Sequence, residues 1–313
     1  MTVTTEPGPP SGAGSAPVLT GRKRPGETVI RALLMLAAAL SVAITIGIIL
    51  AVLQPALDFF RQVPLGDFLA TRDPEGSGEL RPAALPLLWG TALTTIIALA
   101  IAVPIGLAAA MYLSEYASRR SRKWLKPTVE LLAGVPSVVY GFFALSFVTP
   151  TLLNDILSLN VSLTNSLGAG LVLGVMIIPT VASLSEDAFS AVPQALRQGS
   201  LAMGANRMQT TLRVVLPAAL SGVAAAVVLG LSRAVGETMI VALAGGSSKS
   251  MSADPTEGHQ TMTAFIAQTA AGENPPGSPE YNMLFAVALL LFAITFLMNM
   301  ISIRIVRRFR QAY

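Results

Sequence analysis

A series of long apolar runs limits the fold of this chain more than any other feature of its sequence. Crossing the hydrocarbon core of a bilayer takes about 20 predominantly apolar residues in a helix. Hydrophobic residues make up 53% of the 313 positions and charged residues only 12%, a balance that soluble domains rarely show. Runs near or above the required length cover residues 29–53, 85–113, 128–148, 167–184, 217–245 and 281–303. The sequence therefore predicts an all-α polytopic membrane protein with six transmembrane helices.

The basic residues are distributed unevenly among the segments that connect these runs. Sixteen of the 21 lysines and arginines lie in the two terminal tails, counting Arg31 at the start of the first run with the N-terminal tail, and in the loops that follow the second and fourth runs. Four lie in the alternate loops, and the last, Arg233, lies inside the fifth run. Because basic residues accumulate on the cytoplasmic side, we predict a multi-pass protein of the plasma membrane with both termini in the cytoplasm. Topology and anionic lipid headgroups then account for the net charge of +4, and no nucleic-acid partner is expected.

The chain divides into three parts by composition. Residues 1–26 are rich in Pro, Gly, Ser and Thr and have no apolar face to bury, so a disordered cytoplasmic tail is predicted. Residues 27–84 are predicted to hold the first transmembrane helix and an outer loop, and residues 85–313 the main membrane domain. A cleaved signal peptide is the alternative for the first run. That run is about twice as long as a typical signal core, and no small-residue cleavage site follows it.

Most residue types used in catalysis are missing. The chain has no cysteine, and its one histidine, His259, falls in a polar loop. Disulfides, zinc–thiolate sites and thiol catalysis are thereby excluded. The apolar runs contain no clustered carboxylates, and no GxxxxGK[ST] phosphate loop occurs anywhere in the sequence. We therefore expect no enzyme activity and no cofactor or metal bound by this chain.

The segment 193–217, PQALRQGSLAMGANRMQTTLRVVLP, is too polar to span a membrane and too apolar for a simple loop. Its spacing predicts two short amphipathic helices, with one face formed by Leu196, Ser200 and Met203 and the other by Met208, Leu212 and Val215. Gly204 separates the two helices because glycine tolerates the positive φ of a tight turn. Pro217 is predicted to begin the next span. Such a hairpin either lies on the lipid headgroups or docks a cytoplasmic partner.

Arg233 and Glu237 are two charges inside an apolar run. If the fifth span begins at Pro217, Arg233 lies roughly 24 Å along it, near mid-membrane. An isolated arginine there costs about 2.5–3.5 kcal/mol, so we expect a buried side chain with Glu237, one turn further on the same face, as its partner. The pair is either purely structural or part of an anion path, in which Arg233 binds an oxyanion and Glu237 is its resting partner.

Three further side chains are possible parts of such a path. Ser137 lies in ELLAGVPSVVYG, where Gly and Pro interrupt an apolar run. Either the helix breaks there and exposes N–H groups to an anion, or it only bends or packs closely. The Thr94 hydroxyl lines the path or bonds within a helix pair. Glu130 most simply lies near the cytoplasmic interface, and the alternatives are pairing with Arg233 or repelling anions.

The hairpin carries a resemblance to a known family. Gly204, nine residues, Val214, one residue and then Leu216-Pro217 resemble the EAA loop of ABC importer permeases, although the triplet itself is replaced by Gln198-Gly199-Ser200. The segments 87–116, 129–145 and 229–246 look like the permease subunits of the phosphate (Pst) importer, and the last of them is most similar to the PstC type. The resemblance extends over residues 85–313.

This resemblance implies a type I ABC importer permease fold in a bacterial inner membrane, with 193–217 as the coupling loop. The implied partners are a second, PstA-like permease, a PstB-like ATPase dimer that binds ATP and magnesium, and an extracytoplasmic PstS-like phosphate-binding protein. Inorganic phosphate is the implied substrate. Sulfate or molybdate import is the alternative within the family. An ATPase-independent secondary transporter or channel is an alternative outside it, but such a protein has no use for a docking hairpin.

The two long outer loops, 54–84 and 246–280, exceed the length of a tight connection. We expect them to form a docking surface, and the alternative is a partly disordered connection. In the second loop Met262, Phe265, Ile266 and Thr269 follow a helical spacing, which predicts a short interfacial helix.

Overall fold

The computed structural model describes residues 25–69, 83–272, 275 and 277–309. The predicted disordered tail lies outside this part of the chain, except that residues 25 and 26 begin the first helix. The chain forms two compact units, Met1–Leu50 and Ala51–Tyr313. In the first unit the described apolar side chains after residue 28 are exposed or nearly so, as expected of a helix that faces lipid or a partner protein.

The described chain is all-helical apart from one isolated bridge between Leu69 and Ala83. The helices up to the fourth apolar run are α1 Pro25–Gln62, α2 Leu65–Phe68, α3 Ala84–Met111, α4 Arg119–Leu132, α5 Ser137–Phe143 and α6 Ser166–Ser190. The remaining helices are α7 Gln194–Ala202, α8 Arg207–Thr210, α9 Leu216–Ala218, α10 Leu220–Val235, α11 Met239–Ala244, α12 Met262–Ala271 and α13 Pro279–Phe309. Wider π-helical turns, Tyr112–Tyr116, Ala144–Ile156 and Thr211–Val215, extend α3, α5 and α8.

Five stretches are long and apolar enough to cross a membrane, and a sixth is a bent pair of helices. The five are Gly26–Gln62, Ala84–Tyr116, Ser137–Ile156, Ser166–Ser190 and Tyr281–Arg304. The bent pair is Arg207–Ala218 with Leu220–Val235, whose axes differ by 73°. The predicted number of six holds when this pair counts as one span.

The prediction of a single third span over 128–148 is wrong. Residues 128–132 belong to α4, and the span runs from Ser137 to Ile156. Pro136 explains the separation, because it lacks an N–H and disfavours helical backbone in the residue before it. α4 is instead an amphipathic helix with five basic residues, and it begins with the Ser118 hydroxyl accepting a hydrogen bond from the Ser121 N–H.

The prediction of a continuous fifth span over 217–245 is also wrong. Pro217 lies in α9, at the end of the hairpin, and α10 begins only at Leu220 after a bend at Ala219. α10 then ends at Val235, and the chain resumes helix as α11 at Met239. Gly236 follows α10 directly, and glycine favours helix less than any other residue except proline.

The centre of the membrane domain is a close contact between α3 and α6. A Cβ at Gly170 would lie 2.7 Å from Ile97 Cγ2, and one at Gly174 would lie 2.9 Å from the Ala98 carbonyl oxygen. Small residues of this kind let helix backbones approach inside a membrane, where no hydrophobic force drives helices together. The contact is continuous with a core that includes Leu173 and Ile177.

The segment 246–261, predicted to be an outer loop, packs on the membrane domain through backbone hydrogen bonds. Ser166 N–H donates to the Glu257 carbonyl at 2.9 Å, and Leu167 N–H donates to the Pro255 carbonyl at 2.8 Å. His259, placed in a polar loop by the sequence, is fully buried, with Nδ1 2.9 Å from Ser166 Oγ and Nε2 2.9 Å from the Ser252 carbonyl. The segment is therefore an ordered part of the fold.

The helix predicted at 262–269 is present as α12. Its N-terminus is capped by the Thr261 hydroxyl, which accepts from the Ala264 N–H at 3.1 Å. Met262 and Phe265 pack in a cluster with Phe59 and Phe68, so this face of α12 belongs to the core and is not free for an interface.

Candidate functional site

The third span begins at a break in the chain. α4 ends at Leu132, and α5 starts at Ser137 after Pro136 in extended backbone (φ −59°, ψ 135°). The Tyr140 hydroxyl donates to the Leu132 carbonyl at 3.0 Å across the break. Of the two interpretations of ELLAGVPSVVYG, an interrupted helix is the one found, with Ser137 half-buried in the first turn of its second part.

The fifth span contains a second break, between Val235 and Met239. The Glu237 carboxylate accepts from the backbone N–H groups of Met239 at 3.0 Å and Ile240 at 3.3 Å. Its backbone carbonyl accepts from the Thr263 hydroxyl at 2.6 Å. Glu237 therefore caps α11, a favourable place for a negative charge, and it also fastens the break to α12.

Arg233 lies in the last turn of α10 and is exposed on the surface of this chain. The expectation of a buried Arg233 paired with Glu237 is wrong for the described structure. α10 ends two residues after Arg233, so the helical spacing of four residues does not apply, and the Glu237 carboxylate turns to α11 instead. Among the described residues Arg233 has no ion pair or side-chain hydrogen bond. Its guanidinium is therefore available to a ligand or a partner chain.

The two helix breaks lie close together. Gly141, one turn after Ser137, contacts the start of α11, where a Cβ on it would lie 3.2 Å from both the Met239 carbonyl oxygen and the Ile240 Cα. Any larger residue would force the neighbouring backbone of α11 to shift. Ser137 is therefore about one helical turn from the contact with the helix that Glu237 caps.

The structure places Thr94 and Glu130 apart from these breaks. Thr94 is 1% exposed, its hydroxyl donates to the Gly90 carbonyl at 2.9 Å, and it lies where α3 meets α6. This bond lies within α3, so it is not the hydrogen bond between helices that was the alternative to a path lining. Glu130 is exposed on α4 in a groove lined by basic side chains, and no ion pair joins it to Arg233 within the described chain.

The hairpin 193–217 has the two-helix form that the sequence predicts. Gly204 adopts φ +86° between the helices. Asn206 then starts α8 with a reciprocal capping box. Its side chain accepts from the Gln209 N–H at 2.8 Å, and the Gln209 side-chain oxygen accepts from the Asn206 N–H at 3.0 Å. The Ser200 and Thr210 hydroxyls, 2.9 Å apart, join the two halves. The turn therefore has a fixed geometry.

The hairpin is fixed to the membrane domain by Arg197. Its guanidinium donates to both carboxylate oxygens of Glu115, with a shortest N–O distance of 2.8 Å, and to the carbonyls of Phe189 and Val192. Both charged side chains are 11% exposed. Sequence reasoning missed this pair, since Arg197 and Glu115 are 82 positions apart. The only signal in the sequence was a basic residue, Arg197, in the first hairpin helix.

The faces of the two hairpin helices divide between the protein and its surroundings. Leu196 and Val215, one from each predicted face, pack in a cluster under the hairpin. Met203 and Met208 are instead 88% and 63% exposed, so the hairpin presents apolar side chains outward. Among the residues of the coupling-loop pattern, Gln198, Gly199, Gly204 and Pro217 are exposed, while Ser200, Val214 and Leu216 are partly buried.

An ion cluster joins α4 to α6 beside the hairpin. The fully buried Glu186 carboxylate accepts from Arg122 and, at 2.6 Å, from Lys126, whose ammonium also donates to Asp187 at 2.9 Å. The hydrogen bond to Glu186, followed by the one to Asp187, raises the pKa of Lys126 above its usual value. The opposite side of α4 exposes Trp124 and Leu131. α4 therefore has one charged face held by the protein and one apolar face open.

Comparison with known proteins gives matches over most of the chain. A family model described as "Binding-protein-dependent transport system inner membrane component" matches residues 102–311. The probable ABC transporter permease protein YqgH of Bacillus subtilis is 37% identical over 275 residues, which cover 87% of each chain. The phosphate transport system permease protein PstC 1 of Mycobacterium tuberculosis is 36% identical over 246 residues, which cover 72% of each chain.

Solved structures resemble this chain in fold. A bacterial ABC transporter that imports the acidic polysaccharide alginate superposes with a TM-score of 0.64 at 16% identity, covering 92% of this chain and all of the matched one (100%). An inward-facing MetNI methionine ABC transporter superposes with a TM-score of 0.54 at 21% identity, covering 73% of this chain and 94% of the other. The type I ABC importer permease fold predicted by the sequence is thereby confirmed.

Proposed function

This chain belongs to the family of binding-protein-dependent transport system inner membrane components, and we propose that it is the PstC-type permease subunit of an ATP-driven phosphate importer. The observation that carries the proposal is the identity with PstC permeases over more than two thirds of the chain. The hairpin supports it, since an ordered element that exposes the apolar side chains of Met203 and Met208 suits a permease driven by a separate ATPase.

The proposed translocation path follows the exposed surface that carries Arg233. An unpaired guanidinium is costly against lipid, so this surface is expected to face water or a second permease chain. There Arg233 offers a planar fork of donors that fits two phosphate oxygens at once. Ser137, in the neighbouring helix break, is the second side chain proposed for the path. Glu237 holds α11 in place and leaves Arg233 free for the substrate.

The complex proposed around this subunit has three other components. A PstA-like permease would cover the Arg233 surface, a PstB-like ATPase dimer would bind ATP with magnesium and receive the hairpin, and a PstS-like protein would deliver phosphate from outside. Hydrolysis of ATP belongs to the ATPase, because this chain is a permease. The distribution of basic residues supports an orientation with both termini and the hairpin in the cytoplasm.

Another oxyanion is the main rival substrate. An arginine fork suits sulfate or molybdate as well as phosphate, and the difference is the proton that phosphate retains, which needs an acceptor. The carboxylate nearest to Arg233 along the sequence is that of Glu237. The names of the PstC relatives favour phosphate, whereas the geometry of Arg233 by itself favours neither.

Uptake of radiolabelled phosphate and sulfate in a strain that lacks only this subunit tests the proposal. We expect the intact gene to restore phosphate uptake that depends on ATP, with no effect on sulfate uptake. Restored sulfate uptake would replace the substrate but keep the importer. Uptake that persists without the ATPase would favour a secondary transporter or channel.

A further inference from the structure

The hairpin that joins α6 to α10 carries positive charge and no negative charge. Between Asp187 and Glu237 the sequence contains no aspartate or glutamate, whereas the hairpin contains Arg197, Arg207 and Arg213. Position 198, in the middle of the first hairpin helix, is a glutamine. Any ionic contact that this surface makes with a partner must therefore use an acidic group on the partner.

A cavity of about 380 Å³ beside the hairpin is lined by two of these positive charges. Its lining includes Glu115, Arg122, Arg197, Gln198, Leu201 and Arg207. Two of its three guanidinium groups are already matched, because Arg122 pairs with the buried Glu186 and Arg197 with Glu115. Arg207 is exposed and has neither an ion pair nor a side-chain hydrogen bond within the described residues. The Arg207 guanidinium is therefore the one in this lining that can form an ion pair with a partner protein.

We propose that this cavity receives an aspartate or glutamate side chain of the ATPase subunit, with Arg207 as its ionic partner. The inference rests on the proposed function to the extent that the hairpin docks an ATPase, and it adds the polarity of the contact. The Gln198 amide supplies a neutral donor in the same lining. The exposed side chain of Leu201 is part of the same lining and would exclude water from the pair on docking.

A protein carboxylate fits these observations better than a free anion. A site for a free anion needs several unsatisfied donors in a sheltered place, and here the two better-sheltered guanidinium groups are already paired. A single exposed arginine binds a free anion weakly in water. The same arginine gains much more from a carboxylate when an apolar protein surface closes over the pair. Binding of inorganic phosphate in the cavity is therefore the competing outcome to be tested.

Zero-length crosslinking tests the contact directly in the purified complex of this permease with its ATPase. An Arg207→Lys variant places an amine where the guanidinium stands, and a carbodiimide joins amines only to carboxylates in direct contact. We expect a covalent link between position 207 and an aspartate or glutamate of the ATPase, located by peptide mass spectrometry. Arg213→Lys, an exposed position on the same hairpin outside the cavity lining, is the matched control and should give no such link.

Charge reversal gives a second, quantitative measurement. Arg207→Glu should weaken association of the ATPase with the permease by at least about tenfold, while Arg213→Glu changes it by less than about threefold. Reversing the crosslinked ATPase carboxylate to lysine should restore association with Arg207→Glu.

Three results would overturn the proposal. The first is an assembled complex with no link at position 207, and the second is equal weakening by the two reversals. The third is loss of inorganic phosphate binding in Arg207→Ala without any loss of ATPase association. Failure of phosphate uptake together with an intact crosslink would overturn only the substrate assignment, whereas a wild-type permease that binds no ATPase would overturn both proposals.

Discussion

The end of α10 decides what the Arg233 side chain can do. Had the helix continued, a carboxylate four residues on would lie beside the guanidinium and neutralise it. Because α10 stops at Val235, Glu237 bonds to the N–H groups of α11, and Arg233 remains without a partner in the described chain. The two charges are thereby separated into one that holds the backbone and one that faces outward.

Replacing Arg233 is expected to remove transport without removing the complex. Arg233→Ala should abolish phosphate uptake in reconstituted vesicles, because Arg233 is the only positively charged side chain proposed for the path. Assembly with the partner subunits should persist, since Arg233 makes no contact that the fold requires. Arg233→Lys keeps the charge but loses the bidentate fork and should retain only part of the activity. Normal uptake by Arg233→Ala would remove this residue from the path.

The stability of the protein is expected to depend on the acceptor oxygens of Glu237 more than on its charge. Glu237→Ala leaves two N–H groups at the start of α11 without their cap and should lower stability by about 0.5–2 kcal/mol. Glu237→Gln keeps an acceptor at the same place, so its free energy of unfolding should lie within about 0.5 kcal/mol of the wild-type value. Thermal unfolding in detergent measures both. Equal losses in the two variants would show that the charge itself stabilises the break.

At the scale of elements, Arg197 joins the hairpin to the end of the second span. Glu115 lies in the π-helical turn that follows α3, and Arg197 lies in α7, so the pair links the outward-facing hairpin directly to a membrane helix. A pair that is 11% exposed on each side also loses little to solvent screening. Motion of the hairpin would therefore be passed to α3 through a fixed contact and not through a flexible loop.

A double-mutant cycle tests this link. Arg197→Met or Glu115→Leu alone leaves one charge nearly buried and should destabilise the protein by about 3–5 kcal/mol. The double variant removes both charges and should lose less than the sum of the single variants. ATPase stimulation by transport substrate, measured in the assembled complex, should fall in each single variant. Additive losses of stability would mean that the pair is not coupled.

Local patterns in the sequence predict the elements better than the joints between them. Apolar run length gave the number of membrane-crossing segments and placed four of them, and Gly204 with its flanking periodicity placed the hairpin, because both signals lie within a few turns of chain. The break at Pro136 had a local signal, whereas the one before Met239 had only Gly236. The Arg197–Glu115 pair and the burial of His259 depend on segments far apart in sequence, so no local pattern contains them.

At the scale of the whole molecule, the large exposed apolar surface is explained by its surroundings. Side chains such as Ile96, Phe142 and Phe296 are more than half exposed in the isolated chain. A soluble monomer would aggregate through such a surface, but lipid and the proposed second permease subunit would cover it without cost. The two polar regions of the fold, the hairpin and the outer segment 246–261, are then expected on opposite sides of the membrane.

The absence of cysteine makes this orientation directly measurable. Ala202 in the hairpin and Ala253 in the outer segment are both exposed alanines, so Ala202→Cys and Ala253→Cys are matched single labels in a chain with no other thiol. In intact cells a membrane-impermeant maleimide should modify Ala253→Cys and leave Ala202→Cys unmodified until the membrane is opened. This expectation follows from the positions of the basic residues. The reverse orientation would place the 16 lysines and arginines of the tails and of the two basic loops outside the cell, against the rule that such residues accumulate on the cytoplasmic side. Labelling in the reverse order would place the hairpin outside, away from any source of ATP, and would remove the basis for its coupling to an ATPase.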